Sequence, residues 1–134
     1  MSSLVLAAPA HALSPGDQAA DACGTGYHVQ DSHEMGGANE VVAFLLYNNS
    51  TGYNCAVTVK STGNDYYGVA TGLGAGIIKS GGSWSKDDKS YKYYAGPVYV
   101  HAPGACVQFW GHATDITTTN VRELYFTSPW EFCG

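Results

Sequence analysis

Val41-Val42-Ala43-Phe44-Leu45-Leu46-Tyr47 is an unbroken apolar run in a chain otherwise dotted with glycine and small polar residues. Seven residues are too few for a typical helix and the run is rich in β-formers, so it predicts a strand buried on both faces. A turn cluster follows at residues 48–52. After it the pattern switches to alternation, with Cys55, Val57 and Val59 on one face and Thr58 and Lys60 on the other. The two stretches predict a hairpin at the heart of the fold, with the Cys55 sulfur directed inward.

Shorter signals flank this hairpin. Residues 27–31 read as a first short strand, ended by the polar and glycine-rich stretch 32–39, and residues 66–71 read as another. Glycines crowd residues 72–76 and 80–83 and frame a region of short strands, while residues 86–89 read as a charged loop at an exposed tip. Residues 97–101 and 106–110 predict a second hairpin around Ala102-Pro103-Gly104, because proline followed by glycine suits the central positions of a type II turn. Val98 and Val100 then face inward, with Tyr99 and His101 together on the opposite face. Residues 121–126 give a last strand. No stretch has a convincing helical period, and residues 13–22, a mixture of Ser, Pro, Gly, Asp, Gln and Ala, read as a flexible leader. Six to eight short strands bounded by turn residues define an all-β fold, either a small β-sandwich or a barrel.

The ends of the chain and its cysteines refine the picture. An apolar stretch at residues 4–12 closing on Ala10-His11-Ala12 fits the end of a secretory signal, so residues 1–12 read as a signal-peptide remnant and residues 23–134 as a single domain. Cys23, Cys55, Cys106 and Cys133 are an even set without a CxxC pair, which predicts two disulfides rather than a zinc site. Pairing Cys23 with Cys55 and Cys106 with Cys133 is favoured, since each bond then ties one terminus to a strand in its own half. No apolar run approaches the roughly 20 residues that span a bilayer, so membrane insertion is not expected.

Composition narrows the partners. Charged residues are 13% of the chain, about half the usual share, so solubility rests on neutral polar groups and no cationic surface is available for nucleic acid. No Lys or Arg precedes Lys60, whereas Asp17, Asp21, Asp31, Glu34 and Glu40 do, so the net charge of -5 belongs to the N-terminal part and suits a cationic partner.

Catalytic signals are weak. His28, Asp31 and His33 form one candidate group and His101, His112 and Asp115 another, but in a strand Asp31 and His33 point away from His28, and these histidines read as surface residues. There is no GxSxG elbow, and oxidised cysteines offer no thiolate. Residues 72–76 superficially resemble a phosphate loop without the helix or the Lys-Ser/Thr pair that would complete it. The expectation is therefore no enzyme activity, no metal and no cofactor. The aromatic surplus (Tyr66, Tyr67, Trp84, Tyr91, Tyr93, Tyr94, Tyr99, Phe109, Trp110, Tyr125, Phe126 and Trp130) exceeds what a core absorbs and predicts an exposed contact patch for protein or sugar.

Five segments carry a family likeness: residues 21–27 around Cys23, 45–55 ending at Cys55, 93–98, 102–107 around Cys106, and Glu131-Phe132-Cys133-Gly134. On these the chain resembles the spore-associated protein A family of small secreted actinomycete proteins, through nearly the whole mature chain apart from residues 73–89. The resemblance implies secretion and a place at the cell or spore surface, and it carries no catalytic residue. A small exported β domain with a loose leader also looks like the adaptor subunits of secreted multi-protein toxin particles, whose N-terminal segment docks into a larger partner. The reading expected first is thus a secreted, non-catalytic binding or adaptor protein. Its partner would be a larger secreted protein or a cell-envelope component, contacted through Leu13, Asp17, Asp21, Tyr91, Tyr93, Tyr99 and His101. A cell-wall or spore-surface glycan binder is the second reading, and a small hydrolase or protease inhibitor the third.

Overall fold

A strand buried on both faces needs a cover on each, and the two covers here are of different kinds. The structure, a computed structural model, describes residues 13–36, 40–116 and 121–133. Helix α1 (Pro15–Cys23) precedes strands β1 (Tyr27–Met35), β2 (Val41–Asn48), β3 (Tyr53–Lys60), β4 (Thr71–Lys79), β5 (Ser85–Tyr91), β6 (Tyr94–His101), β7 (Val107–Asp115) and β8 (Arg122–Thr127). They form two antiparallel sheets, ordered β1-β2-β3-β6 and β5-β4-β7-β8, packed as a sandwich. The signal remnant expected at residues 1–12 lies outside the described residues.

The inner face of β2 (Val41, Ala43, Leu45) meets Leu73, Ala75 and Ile77 of β4 and Phe109 and Ala113 of β7 in the core between the sheets. Its outer face (Val42, Phe44, Leu46) joins Cys55, Val57 and Val59 of β3 in a second cluster, which α1 closes with Ala19 and Cys23. Residues 15–22, expected to be a loose leader, are therefore ordered. Ser14 caps the helix by accepting from the Asp17 amide at 3.2 Å, Pro15 opens it and Gly24 ends it. Its buried stripe is only Ala19 and Cys23, too small an apolar signal to stand out in the sequence, and a covalent bond supplements it.

That bond is Cys23–Cys55; Cys106–Cys133 is the other, so both pairings are as expected from the sequence. Cys55 is fully buried, though beneath the helix rather than between the sheets. Cys23 and Cys55 lie 32 residues apart, for which the chain-entropy model gives about 3–4 kcal/mol. The double variant Cys23→Ala/Cys55→Ala is expected to lose that much in guanidinium unfolding, and a loss below about 1 kcal/mol would mean that packing alone holds α1.

Several expected boundaries shift for physical reasons. β1 continues to Met35 because it pairs with β2 throughout, past a bulge between Val29 and Asp31. Most of the strand expected at residues 66–71 is a turn instead, with the Tyr67 amide bonded to Asn64 and the Val69 amide to Tyr66, and only Thr71 is in a strand, as the first residue of β4. Residues 86–89, expected as a loop, belong to edge strand β5, whose charges are a common protection for an unpaired edge. The turn at Ala102-Pro103-Gly104 forms, with Gly104 at φ +69° and the Ala105 amide donating to Ala102 O. It does not close a hairpin: β6 pairs with β3 and β7 with β4, so this turn carries the chain from one sheet to the other. Alternation is the same either way, which is why the sequence pattern does not distinguish them.

Lys60 ends β3 buried at the sandwich rim, where Nζ donates to Tyr66 O at 3.2 Å, Val69 O at 2.6 Å and Tyr91 O at 2.9 Å. Burial pulls its pKa down to about 8. One ammonium thus ties the loop after β3 to the end of β5.

Candidate functional site

The inner-facing residues of the second sheet fill the core, so the alternate residues share its outer face. Register aligns them in rows across β5, β4, β7 and β8: Lys86, Gly76, Trp110, Thr127 in one, and Asp88, Gly74, His112, Tyr125 in the next. In a third row Gly72 pairs with Ser90 and Thr114 with Glu123, and the Thr114 side chain lies over Gly72. Glycine at every outward position of β4 from 72 to 76 lets its neighbours lean inward. A Cβ at Gly74 would lie 2.6 Å from Asp88 Oδ1 and 2.8 Å from Trp110 Cζ3, and one at Gly72 would collide with Thr114 Oγ1. The bare strand is thus roofed by side chains from both sides.

The roof is aromatic and polar together. The rings of Trp110 and His112 lie nearly parallel at 6.0 Å, and those of His112 and Tyr125 at 4.8 Å. Tyr125 is 64% exposed and Trp84, just ahead of β5, 38%. His112 Nδ1 faces Asp88 Oδ1 at 2.8 Å and Nε2 faces Glu123 Oε1 at 2.6 Å; Thr114 Oγ1 also donates to that Glu123 oxygen. Burial depresses the imidazole pKa, but the hydrogen bonds to Glu123 and Asp88, with their charges, outweigh it and leave it raised. Glu123 is held below its usual range by the bond from His112 and then by that from Thr114. With each ring nitrogen committed to a carboxylate, the imidazolium form satisfies both contacts and has no lone pair left for base catalysis. His112, read from the sequence as a surface residue, is instead an ionic rivet joining β5, β7 and β8, its side chain only 10% exposed.

The residues singled out from the sequence fall elsewhere and are not gathered into one patch. Leu13, Asp17 and Asp21 line a shallow depression with Gly24, Gly26 and Tyr27 along α1. Tyr99 packs nearby, its ring 5.8 Å from that of Tyr27 and its hydroxyl donating to Cys23 O at 2.8 Å; burial raises its pKa. His101 contacts Thr51 O at 3.0 Å and lies against Tyr53. Tyr91 and Tyr93 line a separate cleft at the β5–β6 connection. The Tyr91 hydroxyl donates to Asp87, which, with burial and the Asp87 charge, pushes its pKa to about 12.

Neither catalytic grouping assembles. His101 and His112 lie on different sheets, and Asp115 is buried in an ion pair with Arg122. His28 packs edge-on against Tyr47, while His33 stacks on Phe126 at 3.8 Å. Asp31 meets Glu131, whose pKa rises to about 7 through burial, then the hydrogen bond to Asp31, then its charge. Neither carboxyl lines the cavity of about 200 Å³ bounded by Gln30, Tyr47, Asn54, Ala102, Gly104 and Phe132. Among the described residues no group of three or more His, Cys, Asp or Glu side chains is arranged to hold a metal ion, and no helix is long and apolar enough to cross a membrane.

Fold and site together define a disulfide-stapled β-sandwich with one sheet face covered by a helix and the other bearing exposed aromatic rings among fixed carboxylates. Over 111 residues the chain is 43% identical to spore-associated protein A of Streptomyces coelicolor, an alignment covering 81% of this chain and 68% of the relative. The chain belongs to the spore-associated protein A family. No family model and no solved structure matches it.

Proposed function

We propose that this protein works at the cell or spore exterior as a non-catalytic binding module whose ligand is an envelope glycan laid across the outer face of the second sheet. The observation that carries this reading is the row Asp88, Gly74, His112, Tyr125, in which glycine leaves room for a flat layer of rings and carboxylates. A pyranose has an apolar C–H face and a rim of hydroxyls. Exposed Tyr125 and Trp84 offer surfaces for the first, and the oxygens of Asp88 and Glu123 not bound to His112 accept from the second. Two disulfides suit an oxidising exterior, and the name of the Streptomyces relative associates that protein with spores. The adaptor reading relied on a free leader; Pro15–Cys23 is instead a helix tied to β3, so the sheet face takes precedence.

Sedimentation with isolated cell walls and with spores tests this. The variant Trp84→Ala/Tyr125→Ala removes two exposed rings and is expected to fold normally while binding about tenfold more weakly, a loss of about 1.4 kcal/mol. No sedimentation of the wild type, or undiminished sedimentation of the variant, would reject the reading.

A further inference from the structure

Lys86 stands apart from the other charges on this face. Its Nζ lies 4.0 Å from the centre of the Trp110 ring and 5.1 Å from that of Trp84. Among the described residues no carboxylate lies within ion-pair distance of it, whereas Asp88 and Glu123 on the same face share the charge of His112. The residue is exposed at the edge strand, so its ammonium is a cation without a contact ion pair, held at the rim of the aromatic layer. The geometry points to a saccharide carrying a carboxylate, of the uronic-acid type, as the preferred ligand of this face, with Lys86 as the residue that selects it. This assignment rests on the glycan reading above.

The charge pattern carries the argument. A neutral sugar would satisfy the rings and the two carboxylates but leave the ammonium unused. A cationic sugar would meet Lys86 as a like charge. In a uronic acid the carboxylate is an equatorial substituent near the plane of the pyranose, so a sugar lying on the rings carries its charge to the rim of the layer, where Lys86 stands. A phosphodiester carries its charge on the linkage between sugars, farther from the ring that lies on the aromatic layer. The protein as a whole is acidic, at -5, so general attraction would disfavour such a ligand and any preference must be local.

The test uses the full chain and three soluble probes of matched length: an oligouronate, an uncharged β-glucan and a phosphodiester-linked glycan. At low salt the oligouronate is expected to bind about three- to fivefold more tightly than the uncharged glucan, as befits one exposed ion pair. Lys86→Met keeps the stem over Trp110 and should abolish that preference without weakening glucan binding; Lys86→Arg should keep it. Raising the salt to about 0.5 M should erase it in the wild type. Equal binding of oligouronate and glucan, persistence of the preference in Lys86→Met, or tighter binding of the phosphodiester probe would each overturn the assignment while leaving the glycan reading intact. Failure of all three probes and of cell walls to bind would instead remove the glycan reading itself.

Discussion

Lys60→Met is expected to lower the stability of the protein by about 3–4 kcal/mol. Methionine keeps the length and apolar stem of the side chain but takes the Nζ donor from Tyr66 O, Val69 O and Tyr91 O; Tyr66 O keeps the Val69 amide, so the loss falls on the other two. Each buried acceptor left without a donor costs about 1–3 kcal/mol, partly offset because an ammonium no longer has to be desolvated. Against a total of about 5–15 kcal/mol for a domain of this kind, that loss is a large share. Guanidinium unfolding checks the figure, and hydrogen exchange locates it: protection should vanish first in the turn at residues 64–69. A change below about 1 kcal/mol would show that the ammonium is not the tie between that turn and β5.

What the sequence made legible depends on how local each determinant is. The run from Val41 to Tyr47 announces a doubly covered strand because continuous hydrophobicity is visible without knowing the cover. The cover itself is not visible, since the buried stripe of α1 is Ala19 and Cys23 and its docking is set by a bond to Cys55, 32 residues on. Disulfide pairing is legible because each partner lies in its own half of the chain. The paths of β6 and β7 are not, because an arch between sheets and a hairpin share one alternation.

The same distinction governs the site. Tyr99 looks free in sequence, yet its hydroxyl is taken by Cys23 O, 76 residues earlier. Glycine at 72, 74 and 76 and the pairs Trp110/His112 and Glu123/Tyr125 all repeat at period two, a signal that one strand face is bare and its neighbours full. What joins these residues into a surface is the register of four strands, and register is a tertiary fact.

His112→Leu is expected to weaken glycan binding at least tenfold, more than the loss of any single exposed ring. Leucine retains bulk over β4, but it leaves Asp88 and Glu123 as neighbouring carboxylates with no cation between them, and it takes the central ring from beside Trp110 and Tyr125. The pH dependence follows from the signs of the shifts. His112 has a folded pKa above its unfolded value of about 6.5, so its contribution is complete below that value and is lost as pH rises through the folded one. Glu123 is depressed in the folded protein, so its contribution is present above about 4.5 and is lost as pH falls through its folded value. Wild-type binding should therefore be flat from about pH 5 to 6.5 and decline at higher pH, whereas the leucine variant should bind weakly with no such decline. Binding isotherms from pH 4 to 9, with circular dichroism to confirm that both proteins are folded, decide the matter. Wild-type affinity that stays level through pH 9 would mean that the charge on His112 has no part in holding the ligand face together.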